Sequence, residues 1–347
     1  MLVDSVPEQR AETAPAPPTR RAIRAVGLVV SVAVLLLVAV ASIAVGAKEL
    51  SMGQVWHGVF EGTGTYADVV VDERLSRTAL GLLAGAALGL AGTVLQALTR
   101  NPLADPGLLG INAGASAAVV TALTYFGVTS LSGYVWFAFL GAAAVGALVW
   151  FLGGSRSATP VRLALAGTAI SAALFGYVQA VMIMDEAALA KMRFWTVGSL
   201  SSATDDTIRQ VLPFIAVGTL LSLALARPLN AVAMGDDTAR ALGAHLGRTR
   251  ALSMLAATVL CGAATAACGP IVFVGLMVPH VVRSFTGPDL RWIMPYAAIL
   301  SPVLLLGSDV IGRVVARPSE VQVGIITAII GGPVFIFLVR RRRTAQL

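Results

Sequence analysis

Arg74 and Arg77 stand three residues apart in the stretch DERLSRT, and Arg313 follows Asp309 by four. On a helix these spacings put each pair on one face, and the Asp309–Arg313 spacing is that of a local ion pair. Together with Arg317, the arginines read in two ways. They are interfacial side chains snorkelling to lipid head groups, or cationic docking points for an acidic partner. No catalytic constellation accompanies them. The chain has no GxxxxGK[ST] phosphate loop; its only lysines are Lys48 and Lys191, and neither follows a glycine. It has no HExxH and no nucleophile elbow. His57, His245 and His280 are scattered, without metal-ligand spacing. Cys261 and Cys268 lie seven apart on one expected helix, about 10 Å along its axis, too far for a disulfide; they read as small core residues. Neither a catalytic residue, nor a metal site, nor a cofactor is expected.

The elements that hold these arginines are apolar. Of the 347 residues, 57% are hydrophobic and 12% charged, against about 25% charged in a soluble domain. The charges are segregated. No Asp, Glu, Lys or Arg occurs in Val26–Ala47, Thr78–Thr99, Pro106–Ser155, Leu163–Met184, Gln210–Ala226, Ala251–Val282, Trp292–Ser308 or Val321–Val339. A membrane span takes roughly 20 apolar residues. Pro106–Ser155 is long enough for two, turning near GVTSLSGY. Ala251–Val282 is also too long for one and breaks at Gly269-Pro270. The expectation is an all-α integral membrane protein of about ten transmembrane helices. The first apolar run exceeds the 7–15 residues of a signal peptide core and reads as an anchor. The Pro-, Ala- and Glu-rich start reads as disordered, with a cytoplasmic tail over 1–24, a membrane domain over 25–340 and a basic tail over 341–347.

With the N-terminus inside, the cytoplasmic segments hold 17 of the 25 basic residues, and the outer segments 11 of the 18 acidic ones. This satisfies the positive-inside rule. Both termini are then cytoplasmic, and the net charge of +7 is topogenic arginine facing anionic lipid. Nucleic acid is not an expected partner. A shift of 177 residues lays Gly85, Gly92, Pro102 and Gly110 on Gly262, Gly269, Pro279 and Gly287. This points to an inverted repeat, a common way to build a transport path.

Two cytoplasmic segments stand out. The elbow Asn101–Pro106 is polar and carries two helix-stopping prolines. It reads either as a cytoplasmic gate formed by Asn101, Pro102 and Leu103, or as a fixed turn in which Asn101 caps the next helix. The longest cytoplasmic loop contains MGDDTARALGAHLG. Asp236 and Asp237 suit a helix start, Gly243 suits its end, and Ala239, Leu242 and Leu246 form a small apolar face. The residues alone fit equally a helix presented to a protein partner and a solvated loop. Asp309 is the only carboxylate near a span interior, close to its outer end. A proton- or sodium-coupled carrier keeps ionisable groups near the midplane, so the carrier and channel readings are the weaker ones.

Over roughly residues 55–340 the chain resembles the FecCD family of permease subunits in ABC importers for ferric siderophores, haem and vitamin B12. NPLADPGLLG and GPIVFVGLMVPHVVR carry the resemblance most specifically. It implies the type II importer permease fold in a bacterial cytoplasmic membrane and a second permease chain, identical or sister. It also implies two cytosolic ABC ATPases that supply the missing phosphate loops, and an extracytoplasmic binding protein that delivers the cargo. A ferric siderophore is the expected cargo, with cobalamin or haem as the alternative. By resemblance Gly235, Asp236, Asp237, Ala239, Arg240, Leu242 and Gly243, within 235–247, match the segment that couples to the ATPases. Arg74, Arg77 and Arg313 match the arginines that meet glutamates of the binding protein, with Asp309 holding Arg313. The family usually has proline where this chain has Ser76, and another near Gln322. Their loss is expected to leave the outer ends of the second and tenth spans less rigid.

Overall fold

The structure, a computed structural model, describes residues 20–62, 64–128, 130–153 and 160–343. The start of the expected tail, residues 1–19, lies outside the described residues, as do Arg156 and 344–347. Helix α1 (Arg20–Ala44), the short α2 (Met52–Phe60) and the long α3 (Tyr66–Thr99) come first. A single 3-10 turn, Pro106–Leu109, leads into α4 (Ile111–Tyr125), followed by α5 (Leu131–Leu152) and α6 (Pro160–Met184). Then come α7 (Glu186–Trp195), α8 (Asp205–Ala224), α9 (Ala226–Ala233) and α10 (Asp236–Ala241). The chain ends with α11 (Leu246–Cys268), α12 (Val274–Thr286), α13 (Leu290–Val315) and α14 (Val323–Arg343).

Each predicted charge-free run holds one helix, and each of the two long runs holds two. Among the described residues, seven helices, α1, α3, α5, α6, α8, α11 and α13, are long and apolar enough to cross a membrane. With 15 and 13 residues, α4 and α12 fall short of the roughly 20 needed for a straight crossing, and the apolar part of α14 is also short. Helix α1 begins at Arg20, so the segment read as a tail to residue 24 is helical over its last part. Beyond Pro17-Pro18, no proline separates Arg20 from the apolar run, so the helix continues outward. At the other end α14 runs through Arg343, into the expected basic tail. The long double run does break where proline and glycine fall: α11 stops at Cys268, and Gly269 takes φ 72°.

In their most apolar stretches 78% of the residues of α3 and of α11 are buried, against 11% for α1 and 17% for α6. The first two therefore form the middle of the bundle, and the apolar faces of α1 and α6 remain for lipid or another chain. Helices α3 and α11 run antiparallel, since the end of α3 and the start of α11 meet at one pole, through Arg100, Asp236 and Arg250. The 177-residue shift does not superpose their ends: Gly92 lies in the unbroken part of α3, whereas Gly269 ends α11.

Helix α3 crosses α12 with backbones touching. A Cβ on Gly92 would overlap the Gly275 carbonyl oxygen. Pro279, inside α12, has no N–H to give the carbonyl four residues earlier, which is that of Gly275. Gln96, one turn along α3 from Gly92, donates from Nε2 to the carbonyls of Gly275 (3.3 Å) and Leu276 (3.0 Å). A glutamine in an apolar span is explained by the bond that proline removes.

Candidate functional site

The polar side chains gather at the two ends of α3. Twenty-six residues separate Arg74 from Arg100, about 39 Å of helix at 1.5 Å per residue.

At the first end, Asp309 of α13 is fully buried and shared by two arginines. Arg77 reaches it from α3, with Nη2 2.7 Å from Oδ1 and Nε 3.0 Å from Oδ2. One turn on from Asp309, Arg313 places Nη2 2.9 Å from Oδ2. The spacing of Asp309 and Arg313 thus gives the expected local pair, and Arg77 adds a cross-helix one. Arg313 also donates to the Ser42 carbonyl and to Ser42 Oγ, each at 2.9 Å. The Ser42 hydroxyl also shares a hydrogen bond with the Thr78 hydroxyl, 2.8 Å away. The second amino group of Arg77 bonds Glu320 at 2.7 Å. Arg74 differs from both. It donates to the carbonyls of Ile43 and Ala44 at 3.0 Å and of Lys48 at 2.6 Å. These are orphan carbonyls at and just beyond the end of α1, and among the described residues no carboxylate bonds Arg74. All three arginines are buried, at 5% (Arg74), 9% (Arg77) and 1% (Arg313) exposure, so snorkelling to lipid head groups does not describe them. They line a cavity of about 710 Å³ with Lys48, Tyr66 and Glu320. A neighbouring cavity of about 400 Å³ is lined by Tyr134, Lys191, Trp195 and Gln322, among others, and shares Ser201 and Ser202 with the first. Ser76 donates to Asp205 at 2.7 Å, tying α3 to the first turn of α8.

At the second end, Arg100 closes α3 in the left-handed region, φ 51°. The elbow then folds on itself. Asn101 Oδ1 accepts the Leu103 N–H at 3.0 Å, and Asp105 Oδ1 accepts the Gly107 N–H at 2.7 Å. Asn101 therefore caps its own turn and not the next helix; Asp105 caps the 3-10 turn, and α4 starts only at Ile111. Asn101 and Leu103 are exposed, and Pro102 lies between them. Asn101 lines a cavity of about 310 Å³ with Thr99, Ala104 and Leu165.

The segment 235–247 is a short helix and a turn. Asp236 and Asp237 occupy the first turn of α10 and Gly243 takes φ 77° just beyond it, as their types predict. The apolar face divides. Ala239 and Leu246 pack on Val232 of α9, whereas Leu242 is 63% exposed and does not join them. The reason is geometric: Leu246 belongs to α11, and the intervening turn rotates Leu242 away. Arg240 pairs with Asp237 at 2.8 Å on the surface. Burial opposes the charge of Asp236, but hydrogen bonds from Arg100 and Arg250 outweigh it and hold its pKa below the usual carboxylate value.

Helix α9 is fastened to α13 nearby. Asn230 donates to Asp289 Oδ1 at 2.8 Å and accepts the Leu290 N–H at 2.9 Å. Asp289 caps α13, and hydrogen bonds from Arg291, opposed by burial and reinforced by Asn230, bring its pKa down to about 2. An unfolded Asp titrates near 3.9. A lowered folded value means stability that is complete above about pH 4 and lost as pH falls toward about 2. Asp289→Asn is therefore expected to cost about 0.5–1 kcal/mol at pH 7. The gap to the native chain should close between about pH 4 and 2, as followed by thermal unfolding in detergent. A gap that stays constant with pH would show that the charge is idle.

Residues 34–341 match the FecCD transport family. The chain belongs to the FecCD transport family. It is 46% identical to the ferric enterobactin transport system permease protein FepD of Escherichia coli (strain K12), over 93% of this chain and 96% of that one. Identity to the hemin transport system permease protein HmuU of Yersinia pestis is 36%, over 89% and 93%. The solved inward-facing structure of a metal-chelate type ABC transporter superposes with TM-score 0.81 and 26% identity, over 91% of this chain and 99% of that one. This FecCD chain is the permease subunit of an ABC importer and not an enzyme; ATP hydrolysis resides on separate subunits.

Proposed function

We propose that this permease carries a ferric siderophore through a bacterial cytoplasmic membrane. It would do so paired with a second permease, driven by two cytosolic ABC ATPases and loaded by an extracytoplasmic binding protein. The cargo assignment rests on the likeness to the ferric enterobactin permease along nearly the whole chain. The geometry agrees with it: Lys191, Tyr134 and three serines of the 400 Å³ cavity offer donors to an oxygen-rich, anionic complex. The likeness to a hemin permease keeps haem as the second reading.

In this reading the bundle has ten spans. The short α4, α12 and α14 complete the seven long helices, and the antiparallel core pair α3 and α11 corresponds to the two halves of an inverted repeat. Both termini are cytoplasmic: the Tyr296 hydroxyl of α13 donates to the Arg24 carbonyl, which supports the starts of α1 and α13 sharing one pole, and the excess of arginine in the segments read as inside supports that pole being cytoplasmic. The arginine cavity then opens outward and serves the binding protein. Arg74, Arg77 and Arg313 are its cationic wall. Arg74, bonded to neutral carbonyls, has the charge most available to an incoming glutamate. Helix α10, with Gly235, Asp237, Arg240, Leu242 and Gly243 around its exposed side, seats in the ATPases. Asn101, Pro102 and Leu103 form the cytoplasmic gate.

The test is uptake of labelled ferric enterobactin, haem and cobalamin in cells with the chain intact or deleted. Loss of iron–siderophore uptake alone is expected. Loss of haem or cobalamin uptake with iron uptake intact would replace the cargo. Arg74→Gln is expected to weaken capture of the binding protein tenfold or more, the scale for losing one partner of a desolvated ion pair. Unchanged capture by a normally folded variant would remove Arg74 from docking.

A further inference from the structure

Three chain segments meet under the elbow. Arg100 is the last residue before it, and its guanidinium is forked. Nε donates to the Val232 carbonyl of α9 at 2.8 Å, and Nη2 to the carboxylate of Asp236, which opens α10. From the first turns of α11, Arg250 grips the same carboxylate, at 2.8 Å from Oδ2 and 3.0 Å from Oδ1. Ala239, fully buried against Val232 and Leu246, locks α10 to α9 and α11 by packing. Helix α10 thus moves with its own neighbours, and the polar route from it to the end of α3 runs through Arg100.

We infer that Arg100 is a positioning residue that transmits displacement of α10 to the Asn101–Pro106 elbow, with Asp236 as the joint between them. This rests on the reading of α10 as the ATPase-coupling segment. The side chain suits the task. A planar guanidinium holding two fixed acceptors sets both distance and angle. The cap residue it belongs to is joined by one peptide bond to Asn101, whose side chain closes the elbow turn. A lysine keeps the charge, but its flexible stem and rotatable ammonium do not fix the angle between two acceptors. Arg250, by contrast, binds Asp236 without touching the elbow, and its loss leaves the transmitting bond in place.

The experiment uses the permease reconstituted with its ATPase subunits in lipid nanodiscs. An environment-sensitive fluorophore is placed on Leu103→Cys at the elbow or on Leu242→Cys at α10; the native Cys261 and Cys268 are buried. ATP with vanadate is expected to shift both labels in the otherwise native complex. In Arg100→Met the α10 label should still respond and basal ATP hydrolysis should persist, while the elbow response falls at least fivefold. Arg100→Lys should give an intermediate elbow response, and Arg250→Met a nearly full one. An undiminished elbow response in Arg100→Met, with the variant assembled, overturns the linkage alone. Equal loss in Arg250→Met would also overturn it, since Asp236 would then need only a cation. A silent α10 label in the native complex overturns the coupling reading beneath it.

Discussion

Asp309→Ala is expected to destabilise the permease by about 3–5 kcal/mol, the cost of breaking a buried ion pair by removing one partner. Set against a typical total stability of about 5–15 kcal/mol, that should sharply lower the yield of folded protein and abolish uptake. Asp309 is fully buried and answers both Arg77 and Arg313. Without it Arg77 retains Glu320, but among the described residues Arg313 keeps only Ser42 as a bonded partner, a neutral group. Single loss of Arg313 should be milder, because Arg77 still neutralises the carboxylate. Replacing Asp309, Arg77 and Arg313 together by Leu, Met and Leu should recover much of the fold. It should not recover capture of the binding protein if the arginines dock it. Thermal unfolding in detergent reads the first effect and binding-protein capture the second. A native-like melting temperature for Asp309→Ala would show that the cluster is solvated, contrary to its burial.

This cluster also shows what the sequence makes legible. The i,i+4 pair of Asp309 and Arg313 is local, so spacing alone gives it. Arg77 reaches Asp309 across 232 positions, and nothing in its neighbourhood announces that. The same holds at the other end: Arg100 and Asp236 lie 136 positions apart, and both arginines around Asp236 read from sequence only as topogenic charge. Helix positions were legible because exclusion of charge from lipid acts residue by residue, so uncharged runs locate the helices and Gly269-Pro270 locates a break. Burial of arginine was not, because it depends on which acceptors the fold brings near. The short α7 and α9 lie in charged connections, where apolar content carries no signal. Ser76 stands where the family usually has proline, and its bond to Asp205 ties α3 to α8, a partner 129 positions away that its neighbourhood does not announce.

Gly92→Val is expected to cost about 2–6 kcal/mol and to abolish transport. Any Cβ at position 92 overlaps the Gly275 carbonyl, which belongs to backbone and cannot rotate aside. Helices α3 and α12 must separate, and overpacking of this kind costs roughly 1–3 kcal/mol. Separation has a second consequence. Gln96 then no longer reaches the carbonyls of Gly275 and Leu276, and the acceptor freed by Pro279 is left in an apolar surrounding, at about 1–3 kcal/mol. Gln96→Leu alone should show this second cost without the first. The double variant should therefore be less unstable than the sum of the singles by about 1 kcal/mol or more, since Gly92→Val has already broken the bond that Gln96→Leu removes. Additivity within about 0.5 kcal/mol would mean that the two residues act separately and that the glutamine does not serve the proline. Function follows the same geometry. The stretch of α3 beyond Gly92 carries Gln96 and then Arg100, so a helix pushed off α12 at Gly92 presents its last turn, and the elbow after it, at the wrong angle to α10. The Gly92 variant should lose uptake out of proportion to its melting temperature, while Gln96→Leu, with the crossing intact, should retain most of it.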